Sequence, residues 1–218
     1  MQFNVEEPKE VRIYIGGRIK EPGAYVGKFD RVYEHQSESG AVGLWFEFLS
    51  DKGESCRWYL NTIKRDGSNN DIGYSEIQSQ IMPLLGLKSL REKQNDTMSF
   101  WDYDIKAEVN RRVTSFPQLM NKEIGVFFKS EQNEYDGKVN IQFRPDFYFD
   151  PKTKQTAEEK HNNKPANVIV LKLDKLNNTP AYTKNVEKKA ESQPPTKTHN
   201  PETKDNFSYD DFEDDIPF

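Results

Sequence analysis

The chain has almost no cysteine. Cys56 stands alone among 218 residues, which excludes an intrachain disulfide and a cysteine-built zinc site and suits a reducing compartment. Histidine is nearly as scarce. His35, His161 and His199 lie far apart in stretches that read as loops, so neither metal-ligand nor triad spacing is present. Long apolar runs are missing too: none approaches ~18 residues, which excludes a transmembrane helix. Met1 to Glu7 lacks the basic and apolar regions of a signal peptide. Together these features predict a cytoplasmic protein. Gly16-Gly17 lacks the Lys-Ser/Thr partner and following helix of a phosphate-cradling loop. An excess of base is also absent. The formal charge is −5, of which residues 205–218 carry −6 and residues 178–204 carry +2, leaving −1 for residues 1–177. Nucleic-acid binding by that core then requires a local basic face rather than a net charge.

Against these absences, aromatics stand out at 12%, with 14 Phe, 10 Tyr and 3 Trp. That is more than core filling requires. The hydrophobic fraction of 34% is low and the charged fraction of 31% high, which fits a folded core with a polar tail. The length accommodates one domain of about 150–180 residues plus tails.

Alternation locates the strands. Val11-Arg12-Ile13-Tyr14-Ile15 alternates, with Val11, Ile13 and Ile15 inward. From Ala24 to Tyr33, one face carries Ala24, Val26 and Val32. The other carries Tyr25, Phe29, Arg31 and Tyr33. The strongest hairpin joins Leu44–Phe48 to Ser55–Ile63 through a turn containing Gly53. Leu44, Phe46 and Phe48 face inward with Cys56, Trp58 and Leu60, so Trp45, Arg57 and Tyr59 project together from the outer face. Tyr74 to Leu87 has helical spacing at Ile77, Ile81, Leu84 and Leu85, with Pro83 predicting a kink or two short helices. Lys88 to Pro117 is ambiguous, with an insertion around Phe100-Trp101 and a strand near Ile105 to Val109. Trp101 reads either as a loop residue that folds over a ligand or as a buried anchor. Glu123 to Lys129 and Val139 to Arg144 flank an Asp136-Gly137 turn. Val168 to Leu173 reads as a last strand. Several short strands around one helix predict a mostly β fold, an OB-fold-like antiparallel barrel with one helix. A β-sandwich is the alternative.

From Asn178 the composition turns to Pro, Lys, Thr, Glu and Asn. The predicted organisation is a folded domain over 1–177, a disordered linker over 178–204 and an acidic, disordered tip over 205–218. The tip holds six acids and no base, punctuated by Phe207, Tyr209, Phe212 and Ile216. It ends Asp214-Asp215-Ile216-Pro217-Phe218. An aromatic ring with carboxylates beside it suits a pocket rimmed by Arg or Lys, and capture of a C-terminal carboxylate is a recurring recognition mode. Pro217 biases Ile216 to extended geometry and lowers the ordering cost.

That ending resembles the C-terminal tip of bacterial-type single-stranded DNA-binding proteins. A second, looser resemblance spans roughly residues 20–160. Pro22-Gly23-Ala24-Tyr25, the hairpin at 44–63, Gly86, Leu119 to Val126 and Phe149 to Glu159 are similar to a family of phage early proteins. The resemblances imply single-stranded DNA binding on an OB-fold, a role in DNA replication, recombination and repair, the host cytoplasm as location, and a tip that recruits replication or recombination enzymes. No cofactor is implied.

Single-strand binding requires exposed rings on which bases stack, interleaved with cations that track the phosphates. The residues that supply this are Arg12 with Tyr14, Trp45, Arg57 with Tyr59, and Phe127 with Lys129. Arg18, Lys20, Lys28, Arg31, Lys64, Arg65 and Arg144 offer further phosphate contacts. Some of these rings could instead cover a second small core. Two other functions compete. In one, the domain binds a protein and the tail mimics a single-strand binder, which the near-neutral core favours. In the other, Asp102 and Asp104 with Lys106 serve a metal-dependent nuclease, for which further ligands are lacking in the sequence. The first reading makes the protein a binder and not an enzyme.

Overall fold

In the computed structural model, residues 16–102, 105–135 and 138–178 are described. The sheet is arranged around strand β1 (Gly23–Gln36). One edge of β1 pairs antiparallel with β2 (Val42–Ser50), which pairs in turn with β3 (Ser55–Ile63). A helical segment follows in three pieces. These are α1 (Asp71–Ser75), a π-helical stretch (Glu76–Ile81) and α2 (Met82–Leu84). Then come β4 (Lys93–Asp102), β5 (Ala107–Ser115), β6 (Glu123–Tyr135) and β7 (Lys138–Phe149). Two helices close the described chain, α3 (Ala157–His161) and α4 (Asn167–Asn178).

The second edge of β1 is shared. Gly23 to Lys28 pairs with β6, while Tyr33 pairs with Ser115 of β5. Between the two halves the register slips, because Phe29 faces Phe48 and Arg31 faces Glu47, leaving Asp30 as an extra residue. Such a bulge bends the strand and increases its twist, so the two halves meet different partners. It also resets the alternation. Phe29 and Val32 both point into the core although they are three residues apart, and both are fully buried.

The main core lies between the inner face of the sheet and the helical segment. Phe29 is at its centre, edge-on to Phe46 at 5.1 Å and to Trp58 at 5.9 Å. Phe46 and Trp58 stack at 5.5 Å across the β2–β3 pair. Ile77 and Ile81 supply the helical side, and Leu119 closes it from the loop before β6. The Asn70 side chain accepts from the Ile72 amide and caps α1. Pro83 lies in α2 directly after the π-helical stretch, where its missing N–H removes one bond from the continuous helical ladder. A second cluster gathers Phe127, Phe147 and Phe149 under Ile169 of α4. Glu159 serves both terminal helices. It completes a capping box with Thr156 at the start of α3 and accepts from the Val168 amide of α4.

Three expectations are corrected. The sheet is open rather than a closed OB-type barrel, in a mixed α/β fold, so the barrel implied by the family resemblance is not the fold found. Its strand order is β3-β2-β1-β5-β4, with β6 on β1 and β7 beyond it. Among the described residues no ladder joins β3 to β7. The Cys56 thiol reaches the Phe143 carbonyl at 3.4 Å, a side-chain contact in place of strand pairing. The physical cause is the branching at β1, whose far edge is divided between two hairpins. Second, there is helix in three regions rather than one. Third, Val168 to Leu173 is helical. Its β-branched run suggests a strand, but Ile169, Leu173 and Leu176 recur at helical spacing and cover the second core. The 44–63 hairpin, by contrast, forms in the expected register. The expected strand at 11–15, the Asp136-Gly137 turn and residues 179–218 lie outside the described residues.

Glu76 generates a stability prediction. Tyr148 donates to its carboxylate at 2.6 Å from a fully buried position. Burial raises the Glu76 pKa, and the tyrosine bond only partly offsets this. The folded state therefore holds the proton to higher pH than the unfolded chain does. The unfolded chain binds fewer protons in that window, so stability falls as pH rises through it. Glu76→Gln keeps an acceptor for Tyr148 and removes the ionisation. Thermal unfolding is expected to show a gain over wild type at about pH 8 that shrinks toward about pH 4. An equal loss at both would contradict the assignment.

Candidate nucleic-acid interface

The face of the sheet opposite the main core is built by register. On β1, β2 and β3, three rows of neighbours run across the strands. Arg31, Glu47 and Arg57 form one, Tyr33, Trp45 and Tyr59 the next, and His35, Gly43 and Asn61 the third. The bulge at Asp30 places Arg31, Tyr33 and His35 on this face. The β4–β5 hairpin extends it. Phe100 meets Tyr33 edge-on at 5.1 Å, the Arg31 guanidinium lies 5.3 Å from the Phe100 ring, and that of Arg111 lies 6.0 Å from it. A belt of four rings, Tyr59-Trp45-Tyr33-Phe100, thus crosses the sheet with three arginines beside it, and of these rings Tyr33 is buried while the other three are partly exposed.

Within the belt the contacts are close. Trp45 and Tyr59 are 5.4 Å apart, and the Arg57 guanidinium stacks 3.9 Å over the Trp45 ring. An exposed cation–π contact of this kind contributes about 0.5–1 kcal/mol. Tyr33 donates to the Glu47 carboxylate at 3.3 Å, and the same carboxylate lies 3.6 Å from Arg31 Nε. Burial raises the Tyr33 hydroxyl well above its ordinary range. Burial, aided by Glu34, pushes Tyr59 up to about 12. Both phenols stay neutral at physiological pH and bring no negative charge to the belt.

Gly43 makes the arrangement possible. A Cβ there would stand 2.5 Å from Tyr59 Cζ and 2.4 Å from the Leu60 carbonyl oxygen. Its absence lets the Tyr59 ring lie across β2, where the Tyr59 hydroxyl donates to the His35 carbonyl at 3.4 Å.

Three of the sequence-derived residues, Trp45, Arg57 and Tyr59, come together here. Phe127 does not. It is 4% exposed, stacked 5.0 Å from Phe147 beneath α4, so it packs a core and offers no face to a base. Lys129 is ion-paired with Glu131 at 2.8 Å on β6, which meets β1 ahead of the bulge and away from the belt. Arg12, Tyr14 and the tip residues Asp214, Asp215, Ile216, Pro217 and Phe218 lie outside the described residues. Tyr33, Phe100, Arg111 and His35 were missed by the sequence reading. Alternation already sets Tyr33 on the Arg31 face, and carrying it two residues further adds His35, which is a strand residue rather than a loop one. Phe100 required the β4–β5 pairing, in which it faces Val109. Trp101 alternates to the opposite side and is 54% exposed, so it is not a buried anchor.

Other chemistry finds less support. Among the described residues no group of three or more His, Cys, Asp or Glu is placed to hold a metal ion. Asp102 is ion-paired to Arg111 at 3.1 Å, and Asp104 lies outside the described residues. Burial pushes the Cys56 thiol up to about 12, which makes it a poor nucleophile. No family model matches the chain, and no curated protein matches it.

A Cβ at position 43 has backbone on one side and the Tyr59 ring on the other. Gly43→Ala is expected to lower stability by about 1–3 kcal/mol in denaturant unfolding and to displace the Tyr59 ring. Unchanged stability would show that β2 and β3 can part there without loss.

Proposed function

We propose that the chain binds single-stranded DNA without sequence preference, using the partly exposed rings of Tyr59, Trp45 and Phe100, with Tyr33 buried beneath them as support. The observation that carries this reading is the belt itself, three partly exposed rings set on the buried Tyr33, with the exposed Arg57 stacked on Trp45 and with Arg31 and Arg111, each paired to a carboxylate, beside Phe100. Bases stack on rings of any kind, and arginines beside them meet the phosphates. Neighbouring strands stand about 4.8 Å apart, so the rows offer successive rings at a spacing that an extended strand can follow. The belt replaces net charge as the source of affinity, consistent with a core of only −1.

The tail completes the proposal, on sequence grounds alone. Asp214, Asp215, Ile216, Pro217 and Phe218 engage replication or recombination enzymes that carry a pocket for an Ile-Pro-Phe ending. Residues 178–204 act as a tether that keeps recruited enzymes near the DNA-bound domain.

Titrating labelled oligo-dT and a matched duplex with the full chain, at low and moderate salt, tests the DNA reading. Tight, salt-sensitive binding to the single strand is expected, with little to the duplex. Stacking contributes about 1–3 kcal/mol per base, so Trp45→Ala and Tyr59→Ala are each expected to weaken binding by roughly 5- to 150-fold. Absence of single-strand binding at low salt would overturn the reading and turn attention to a protein partner for the same face.

A further inference from the structure

The belt has a titratable neighbour. His35 is exposed near the end of β1. Its ring lies 6.3 Å from Trp45 and 6.1 Å from Tyr59. Across the pair it faces Gly43, which contributes no side chain of its own and is covered by the Tyr59 ring. Histidine, tryptophan and tyrosine thus form a three-ring cluster at the end of the belt away from Phe100. The Arg57 guanidinium lies over the middle ring. A strand stacked on Trp45 and Tyr59 would carry its phosphates past the imidazole.

We infer that His35 is a further single-strand contact, and that as imidazolium it adds a phosphate contact that makes binding tighten as pH falls. The inference rests on the proposed single-strand function. Neutral, His35 offers a flat ring that extends the stacking surface. Protonated, it offers a cation, and histidine is the one side chain whose charge ordinarily changes between about pH 5 and 8. One more neutralised phosphate steepens the salt dependence of log affinity by roughly 0.7 for a single strand.

Other charged groups face the same place and must be separated from it. On β1 the neighbouring Glu34 is exposed, and its carboxyl is raised by burial and by Glu92. It also acts on Tyr59 from close by. In the loop after β1 there is Glu38, on β2 Glu47, which is held by Arg31 and Tyr33, and on β3 Arg57. Of these, Glu34 could mimic the effect, since losing its negative charge would also favour DNA at low pH. His161 lies elsewhere, on α3 beside Pro83.

The test measures oligo-dT affinity of the full chain by anisotropy at constant ionic strength, from about pH 8 to about pH 5.5. Wild type is expected to tighten by about 5- to 10-fold, with a salt slope steeper by roughly 0.7 at the acid end. His35→Gln, which loses the ring and the titratable group, should bind somewhat more weakly than wild type at high pH and show no gain as pH falls. His35→Arg should bind tightly at both ends. An undiminished gain in His35→Gln, or a gain that disappears in Glu34→Gln alone, would overturn the assignment to His35. If wild type binds no single strand at any pH, the single-strand function itself falls and takes this inference with it. Binding that ignores pH would remove only the inference.

Discussion

One extra residue in β1 governs the molecule. Asp30 breaks the register between Phe29 and Arg31, and everything else follows from that slip. Ahead of it, β1 lies between β2 and β6. After it, β1 lies between β2 and β5. The strand therefore carries two hairpins on one edge, and the sheet branches instead of closing. The same slip turns Phe29 and Val32 inward together, filling the core, and turns Arg31, Tyr33 and His35 outward together. Core and candidate interface are set by a single backbone irregularity, because side chains in a strand alternate and one inserted residue exchanges the faces.

The outer face shows how a chain of negative net charge could present a surface suited to nucleic acid. Its rings are held by cross-strand neighbours, by the missing side chain at Gly43 and by guanidinium groups stacked on them. Glu47 pairs with Arg31 and accepts from Tyr33, which fixes the ring and the cation in place but sets a carboxylate at the edge of the belt. Affinity on such a surface would come from stacking more than from charge. Its salt dependence should accordingly be shallower than for a strongly basic groove.

Much of this was legible in the sequence, and the parts that were not share a cause. The 44–63 hairpin could be read because both strands alternate cleanly and Gly53, at φ 82°, supplies the left-handed turn residue. Trp45, Arg57 and Tyr59 followed from that alternation. Period-two counting through Asp30 sets Phe29 on the face of Arg31 and Tyr33, and only the bulge moves it into the core, while His35 reads as a loop residue and so is left off the strand. Closure of the sheet depends on which strands meet the far edge of β1, a pairing between distant segments that local pattern does not encode. The error at Phe127 descends from the error at α4. With Val168 to Leu173 read as a strand, nothing remained to cover Phe127. As a helix, the same residues place Ile169 over it.

The measurement that bears most directly on the central claim is an aromatic and backbone NMR titration of the full chain with oligo-dT. The account predicts that perturbations centre on Trp45, Tyr59, Phe100 and Arg57, cross the strands in one belt, and spare Phe127, Phe147 and Phe149 beneath α4. Perturbations confined to the α4 side of the sheet, or none at all, would contradict it.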